Sequence, residues 1–153
     1  MNEKPTYELD RILDSVEPEN FNKYRQNENT DSQISLCEFF NSYIGSHGLE
    51  LSDVVKRSDI PSNYAYGILN GNRNKPSRDR VIALCLACRM NLTDTNRALK
   101  IAGLSPLYSK LSRDAAIIIM INKGEFNIGI INEFLYGHDL EILSTSSTQE
   151  ITR

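Results

Sequence analysis

The sequence contains no tryptophan, only two histidines and three cysteines, and no apolar run as long as a membrane span. Each shortage removes a class of function. Without a span-length apolar segment the chain does not cross a bilayer as a helix, and the polar start MNEKPTYELD does not read as a signal peptide, so a cytoplasmic location and no membrane partner are expected. Cys37, Cys85 and Cys88 all fall in apolar helical patterns and are expected to be free thiols. Cys85 and Cys88 have redox or zinc spacing, but no second such pair exists and His47 and His138 are distant. Buried helix cysteines are the stronger reading. There is no Ser-His-Asp arrangement, HExxH, Walker loop or paired-carboxylate setting, so no enzyme, catalytic residue, metal or cofactor is expected.

What remains is an ordinary globular composition of 153 residues, 40% apolar and 24% charged, long enough to bury a core. The net charge of -3 hides an uneven distribution. Residues 50 to 113 carry eleven Lys and Arg against five Asp and Glu, a net of +6 between flanks of -5 and -4. A basic middle is the electrostatic footprint of a nucleic-acid-facing module, although a solvated face without a partner has the same signature.

That basic middle contains the stretch around which the chain is organised, LSDVVKRSDIPSNYAYGILNGNRNKPS from Leu51 to Ser77. Val54 and Val55 supply an apolar step on a first short helix, and Ile60, Ala65 and Ile68 the inward positions after a turn. This is helix-turn-helix spacing. Asp59 stands at the corner, where Asp tolerates a left-handed backbone. Ser62 after Pro61 can begin the second helix, and Gly71 can end it.

The run V-V-x-x-S-D-I-x-x-x-x-A-x-x-I-L-N-G followed by N-R-N-K-P-S resembles the helix-turn-helix of the XRE, lambda-repressor-like family. Leu51 stands where that family often has Gln, Val55 is bulkier than its usual Ala or Gly, and Ser58 and Asp59 replace a hydrophobe and a glycine. The segments Ala102-Gly103, Pro106-Leu107-Tyr108 and Arg113-Asp114-Ala115 are similar to small bacterial members of the group, which extends the resemblance over roughly residues 35 to 142. It implies an all-α fold: a lambda-repressor-like five-helix DNA-binding domain, here with an additional C-terminal helical hairpin and a short N-terminal helical arm. It also brings an association with a serine/threonine kinase, which would make Ser144 to Thr148 phosphoacceptors against the plainer reading of a frayed end.

Along the rest of the chain, Leu9, Ile12, Leu13 and Val16 mark an amphipathic helix ended by Pro18, and Glu19 to Asp31 is either a second short helix or a linker. Leu36, Phe39, Phe40, Tyr43 and Ile44 mark a core-facing helix stopped by Gly48, with His47 as a capping surface residue. Beyond the motif the sequence repeats: Ser77-Arg78-Asp79, Val81 to Ala87, Asn96 and Leu99 recur as Ser112-Arg113-Asp114, Ala115 to Ile121, Asn132 and Leu135. The offset is 35 residues, becoming 36 after one insertion. Each copy reads as a helical hairpin with Ser as cap, Asp in the first turn, and Gly103 or Gly137 at its close, and the second copy is expected to stack on the first. Ala115 to Ile121, apolar nearly all round, is expected to be buried in the core or against a partner. The organisation expected is an arm or linker over 1–31, a helix-turn-helix domain over 32–104, a helical extension packed on it over 105–143, and a flexible tail over 144–153.

The function this implies is sequence-specific binding of double-stranded DNA by a homodimeric transcriptional regulator, with helix 62–70 in the major groove. Base contacts fall to Ser62, Asn63, Tyr66 and Asn70, since Asn matches adenine, Ser meets base or phosphate, and a Tyr ring meets a thymine methyl. Phosphate contacts fall to Ser52, Lys56, Arg57, Asn72, Arg73, Asn74 and Lys75. Tyr64 reads equally as a packing residue, and Arg78 and Arg80 as braces for the following helix. The alternative is a non-enzymatic module that keeps the fold but binds a protein partner through the extension, such as the kinase. An uncharged reading helix and an acidic whole chain favour it.

Overall fold

A computed structural model of the chain describes residues 5–28 and 34–146. All regular structure among the described residues is helical, and no helix there is long and apolar enough to cross a membrane. The chain divides into two compact units, Met1–Gln33 and Ile34–Arg153, two residues later than the expected end of the arm.

The first unit holds α1 (Thr6–Ser15) and α2 (Phe21–Glu28), separated by a 3-10 turn at Pro18–Asn20. Pro18 breaks the helical pattern as expected. The Glu19 to Asp31 stretch resolves as a helix over Phe21–Glu28, and its residues 29–31 lie outside the described ones. No residue of α1 is buried, although Leu9, Ile12 and Val16 lie half-covered along one side.

The second unit holds α3 (Leu36–Ser46), α4 (Leu51–Arg57), α5 (Ser62–Leu69), α6 (Arg78–Ala87), α7 (Leu92–Ile101), α8 (Ser112–Asn122) and α9 (Ile128–Gly137). Ser35 and Glu38 form a reciprocal capping box that starts α3. Gly48 leaves the helix with φ +64°, the left-handed conformation glycine adopts without strain. At the centre runs α6, on which every residue from Arg80 to Ala87 is buried. It packs against α4 and α7, while α3 holds α5 and α7, and α8 and α9 pair with each other next to α7. One continuous core includes Phe40, Val54, Ile68 and Leu84, and also Ile117, Ile131, Leu135 and Leu143 from the C-terminal part. Burial of that size is the main stabilising term.

The repeat is visible in the backbone. Arg89 (φ 57°) and Gly124 (φ 78°) close the first helix of each copy at an offset of 35, whereas the caps of the second helices, Asn91 and Asn127, are 36 apart. The insertion therefore lies within residues 125–127. Two expectations fail in the second copy. Ser112 lies inside α8, whose cap position is Leu111 without a side-chain bond, whereas Ser77 does cap α6 by accepting from the Arg80 amide at 3.3 Å. Gly137 is the last residue of α9, and the left-handed position equivalent to Gly103 is Asp139 (φ 59°). Of the α8 stripe, expected in the core or against a partner, Ala116, Ile117 and Ile121 face the core and Ile119 is 51% exposed.

The two copies clasp each other. Arg78 donates from Nη1 and Nη2 to the two oxygens of Asp114 at 3.0 and 2.8 Å, and Arg113 donates to those of Asp79, both at 2.9 Å. Each arginine also donates to two carbonyls behind its own hairpin, Arg78 to Ser105 and Pro106, and Arg113 to Glu141 and Ile142. Each aspartate accepts one amide from the other copy, Tyr108 for Asp114 and Ser144 for Asp79. Asn96 and Asn132 then accept the amides of Leu107 and Leu143, both at 2.8 Å. Bidentate charge-assisted bonds of this kind fix geometry as well as energy. Burial pulls the Asp114 carboxyl up, but the Arg78 hydrogen bonds and the Tyr108 amide outweigh it and hold it below the usual carboxylate range.

Candidate functional site

The turn between α4 and α5 is built from its own polar residues. Ser58, buried, donates its hydroxyl to the Val55 carbonyl at 2.7 Å and accepts from the Ile60 amide at 3.2 Å. A hydrophobe there would leave that amide without this acceptor. Asp59 takes φ 60°, the left-handed corner expected of it. Its Oδ2 accepts a hydrogen bond of 3.1 Å from the Thr145 hydroxyl, so the segment after α9 is fastened to the corner.

Ala65, Ile68 and Leu69 bury one side of α5, and Asn41 on α3 donates to the Leu69 carbonyl at 2.7 Å to hold its end. Pro61 occupies the cap position, so Ser62 is the first helical residue, without a side-chain cap bond. Asn70 ends the helix, and Gly71 (φ 88°) turns the chain out of it. At 100° per residue, Ser62, Asn63, Tyr66 and Asn70 fall within an arc of roughly 100°, bordered by the buried Leu69 beside Ser62 and the buried Gly67 beside Asn63. All four are exposed. The structure thus brings together the four residues expected to meet bases. The Asn63 Oδ1 accepts from the Tyr64 amide and the Asn70 Oδ1 from the Asn72 amide, which limits the freedom of both carboxamides.

The residues expected at phosphates divide. Ser52, Lys56, Asn72, Asn74 and Lys75 are exposed. Arg57 is half-buried, and its Nε donates to the Ala87 carbonyl at 3.0 Å, so it serves the end of α6. Arg73 is exposed but folded back: its guanidinium carbon lies 4.2 Å from the Tyr64 ring centre, and a Cβ at Gly67 would stand only 3.1 Å from its Cγ. Gly67 makes that approach feasible.

Tyr64 is half-buried, and the buried Arg80 lies 3.9 Å over the same ring. Arg80 in turn donates from Nε to the Thr145 carbonyl at 3.3 Å. Thr145 is 3% exposed and Ser144 is buried, which corrects the expected flexible tail at its first residues and removes both as accessible phosphoacceptors. Ser147 and Thr148 lie outside the described residues. Sequence reasoning missed this strap over 143–145. The signal was present, because it occupies the repeat position of Leu107 to Ser109.

The basic middle is less available than its charge count suggested. Arg78 and Arg113 are spent on the aspartates, and Arg80 is buried. Cys85 and Cys88 are buried free thiols. Burial pushes the Cys85 thiol well up and the Cys88 thiol to about 12, so both stay protonated near neutral pH. No group of three or more His, Cys, Asp or Glu among the described residues stands close enough to hold a metal ion. His47 is exposed at the end of α3, where its Nδ1 donates to the Tyr43 carbonyl at 3.0 Å.

Comparison with protein-family models, with curated proteins and with solved structures finds no match.

Proposed function

We propose that the protein is a sequence-specific, non-enzymatic DNA-binding regulator of the XRE, lambda-repressor-like type, acting as a homodimer with α5 in the major groove. The observation that carries this reading is the single exposed arc of α5 bearing Ser62, Asn63, Tyr66 and Asn70. Its side chains have the hydrogen-bonding groups that read base edges, and no residue of the arc is needed by the core. The exposed loop 72–75 follows directly and supplies Arg73 and Lys75 for the backbone, with Lys56 and Ser52 on α4 beside it in the motif. Two subunits of such a dimer place their reading helices about 34 Å apart along the duplex.

A second reading has its own support. Leu111, Ile119, Ile130 and Tyr136 of the C-terminal hairpin are exposed, Tyr136 by 78%, and apolar residues so placed suit a protein partner. Salt separates the two readings. Fluorescence anisotropy with labelled promoter and random duplexes is expected to show binding that weakens steeply with added salt. Asn63→Ala is expected to remove the preference for the promoter. A salt-tolerant complex with a protein, and no DNA binding at low salt, would establish the second reading instead.

A further inference from the structure

We propose that the half-site read by α5 is rich in A·T pairs, with Asn63 taking an adenine and the Tyr66 ring covering a thymine methyl; this rests on α5 being the base-facing helix. In the major groove guanine offers two acceptors, O6 and N7, and its commonest protein partner is Arg or Lys. The exposed arc of α5 carries neither. The cation nearest to it in sequence, Arg73, is drawn to the flank of the helix, with Cγ against Gly67 and its guanidinium over Tyr64. Arg57 is held by the Ala87 carbonyl. A guanine facing the arc therefore meets no guanidinium.

Adenine offers the opposite pairing, an N7 acceptor beside an N6 donor, which one carboxamide satisfies. The bond from the Tyr64 amide uses one lone pair of the Asn63 Oδ1, at 3.0 Å, and leaves the second lone pair and both Nδ2 hydrogens for a base. Tyr66 lies one turn beyond Ser62 on the same arc and is 38% exposed. Its ring is the apolar surface there broad enough to cover a 5-methyl group, the feature that separates thymine from cytosine. A bulky ring beside a carboxamide thus selects an adenine and a thymine methyl over the guanine edge.

The test uses the full chain and duplexes selected from a randomised pool. A·T-rich half-sites are expected. In the selected duplex each thymine is replaced in turn by deoxyuridine, which removes one methyl and changes nothing in the protein. At one position affinity should fall about fourfold, as expected for the loss of one buried methyl. With Tyr66→Ala that thymine-uracil difference should vanish, and with Asn63→Ala the preference for adenine at one position should fall roughly fivefold or more. Both side chains are exposed, so the variants keep the core. Recovery of G·C-rich half-sites, or indifference to uracil at every position, overturns the base assignment while leaving DNA binding intact. Failure to bind any duplex at low salt overturns the DNA reading and the assignment with it.

Discussion

Arg78 and Asp114, 36 positions apart, are joined by two hydrogen bonds of 3.0 and 2.8 Å, and the same pair with the copies exchanged joins Arg113 to Asp79. The side chain of Asp114 is 3% exposed and that of Asp79 17%, so Asp114 is the more deeply buried of the two acids. Removing Arg78 leaves Asp114 charged and buried. Arg78→Leu should cost about 3 kcal/mol of folding stability, and Arg113→Leu about 1.5 kcal/mol. Urea denaturation of both variants checks the order, and equal losses would show that burial does not set it.

The same pair gives the protein an acid limb. Because Asp114 titrates below the usual carboxylate range in the folded chain, its contribution is fully present above the unfolded value and is lost as pH falls through the folded one. Stability should therefore fall as the solution is acidified below about pH 4. Asp114→Asn should start less stable at neutral pH and lose less on acidification. A wild-type and variant difference that stays constant from pH 7 to pH 3 would rule out this titration as the cause.

Asp59 joins two opposing effects. Its left-handed backbone favours glycine, while its carboxylate accepts the Thr145 hydroxyl at 3.1 Å. Asp59→Gly should leave stability within about 0.5 kcal/mol, since relief of the corner offsets the lost bond. Asp59→Ala gains no such relief and should lose about 1 kcal/mol or more. Thermal denaturation of the two variants distinguishes them, and an identical loss in both would mean that the corner is unstrained.

Arg73 should act on all duplexes alike. Arg73→Ala is expected to weaken random and selected DNA by the same factor and to lower the slope of log affinity against log salt by about one phosphate contact. Gly67→Ala should act in the same direction without unfolding the chain. Its new methyl meets the flexible Arg73 side chain at 3.1 Å, and Ala raises helix propensity by up to about 1 kcal/mol. Anisotropy titrations at several salt concentrations measure both effects, and a loss confined to the selected duplex would make Arg73 a base-reading residue.

Most of the helical unit was legible because its signals are local. Val54, Ile60, Ala65 and Ile68 have the period of two packed helices, the glycines after α3, α5 and α7 fall where left-handed turns are needed, and the repeat announces itself in Ser-Arg-Asp. The partners of the charged residues were not legible. Arg78 with Asp114, Arg113 with Asp79 and Arg57 with Ala87 are tertiary contacts, so charge counting assigned to the surface what the fold spends inside. Thr145 misled for a related reason: a polar segment near the end of a chain reads as frayed until the Asp59 and Arg80 side chains that receive it are in place. The exposed arc of α5 needed only helical geometry and was readable at once.

An amide chemical-shift map of the labelled chain, titrated with a selected duplex at low salt, shows whether the α5 arc meets DNA. The largest changes should fall on Ser62, Asn63, Tyr66 and Asn70, with smaller ones on Ser52 and residues 72–75, and all should reverse when salt is raised. Changes confined to α8 and α9, or none at low salt, would contradict that contact.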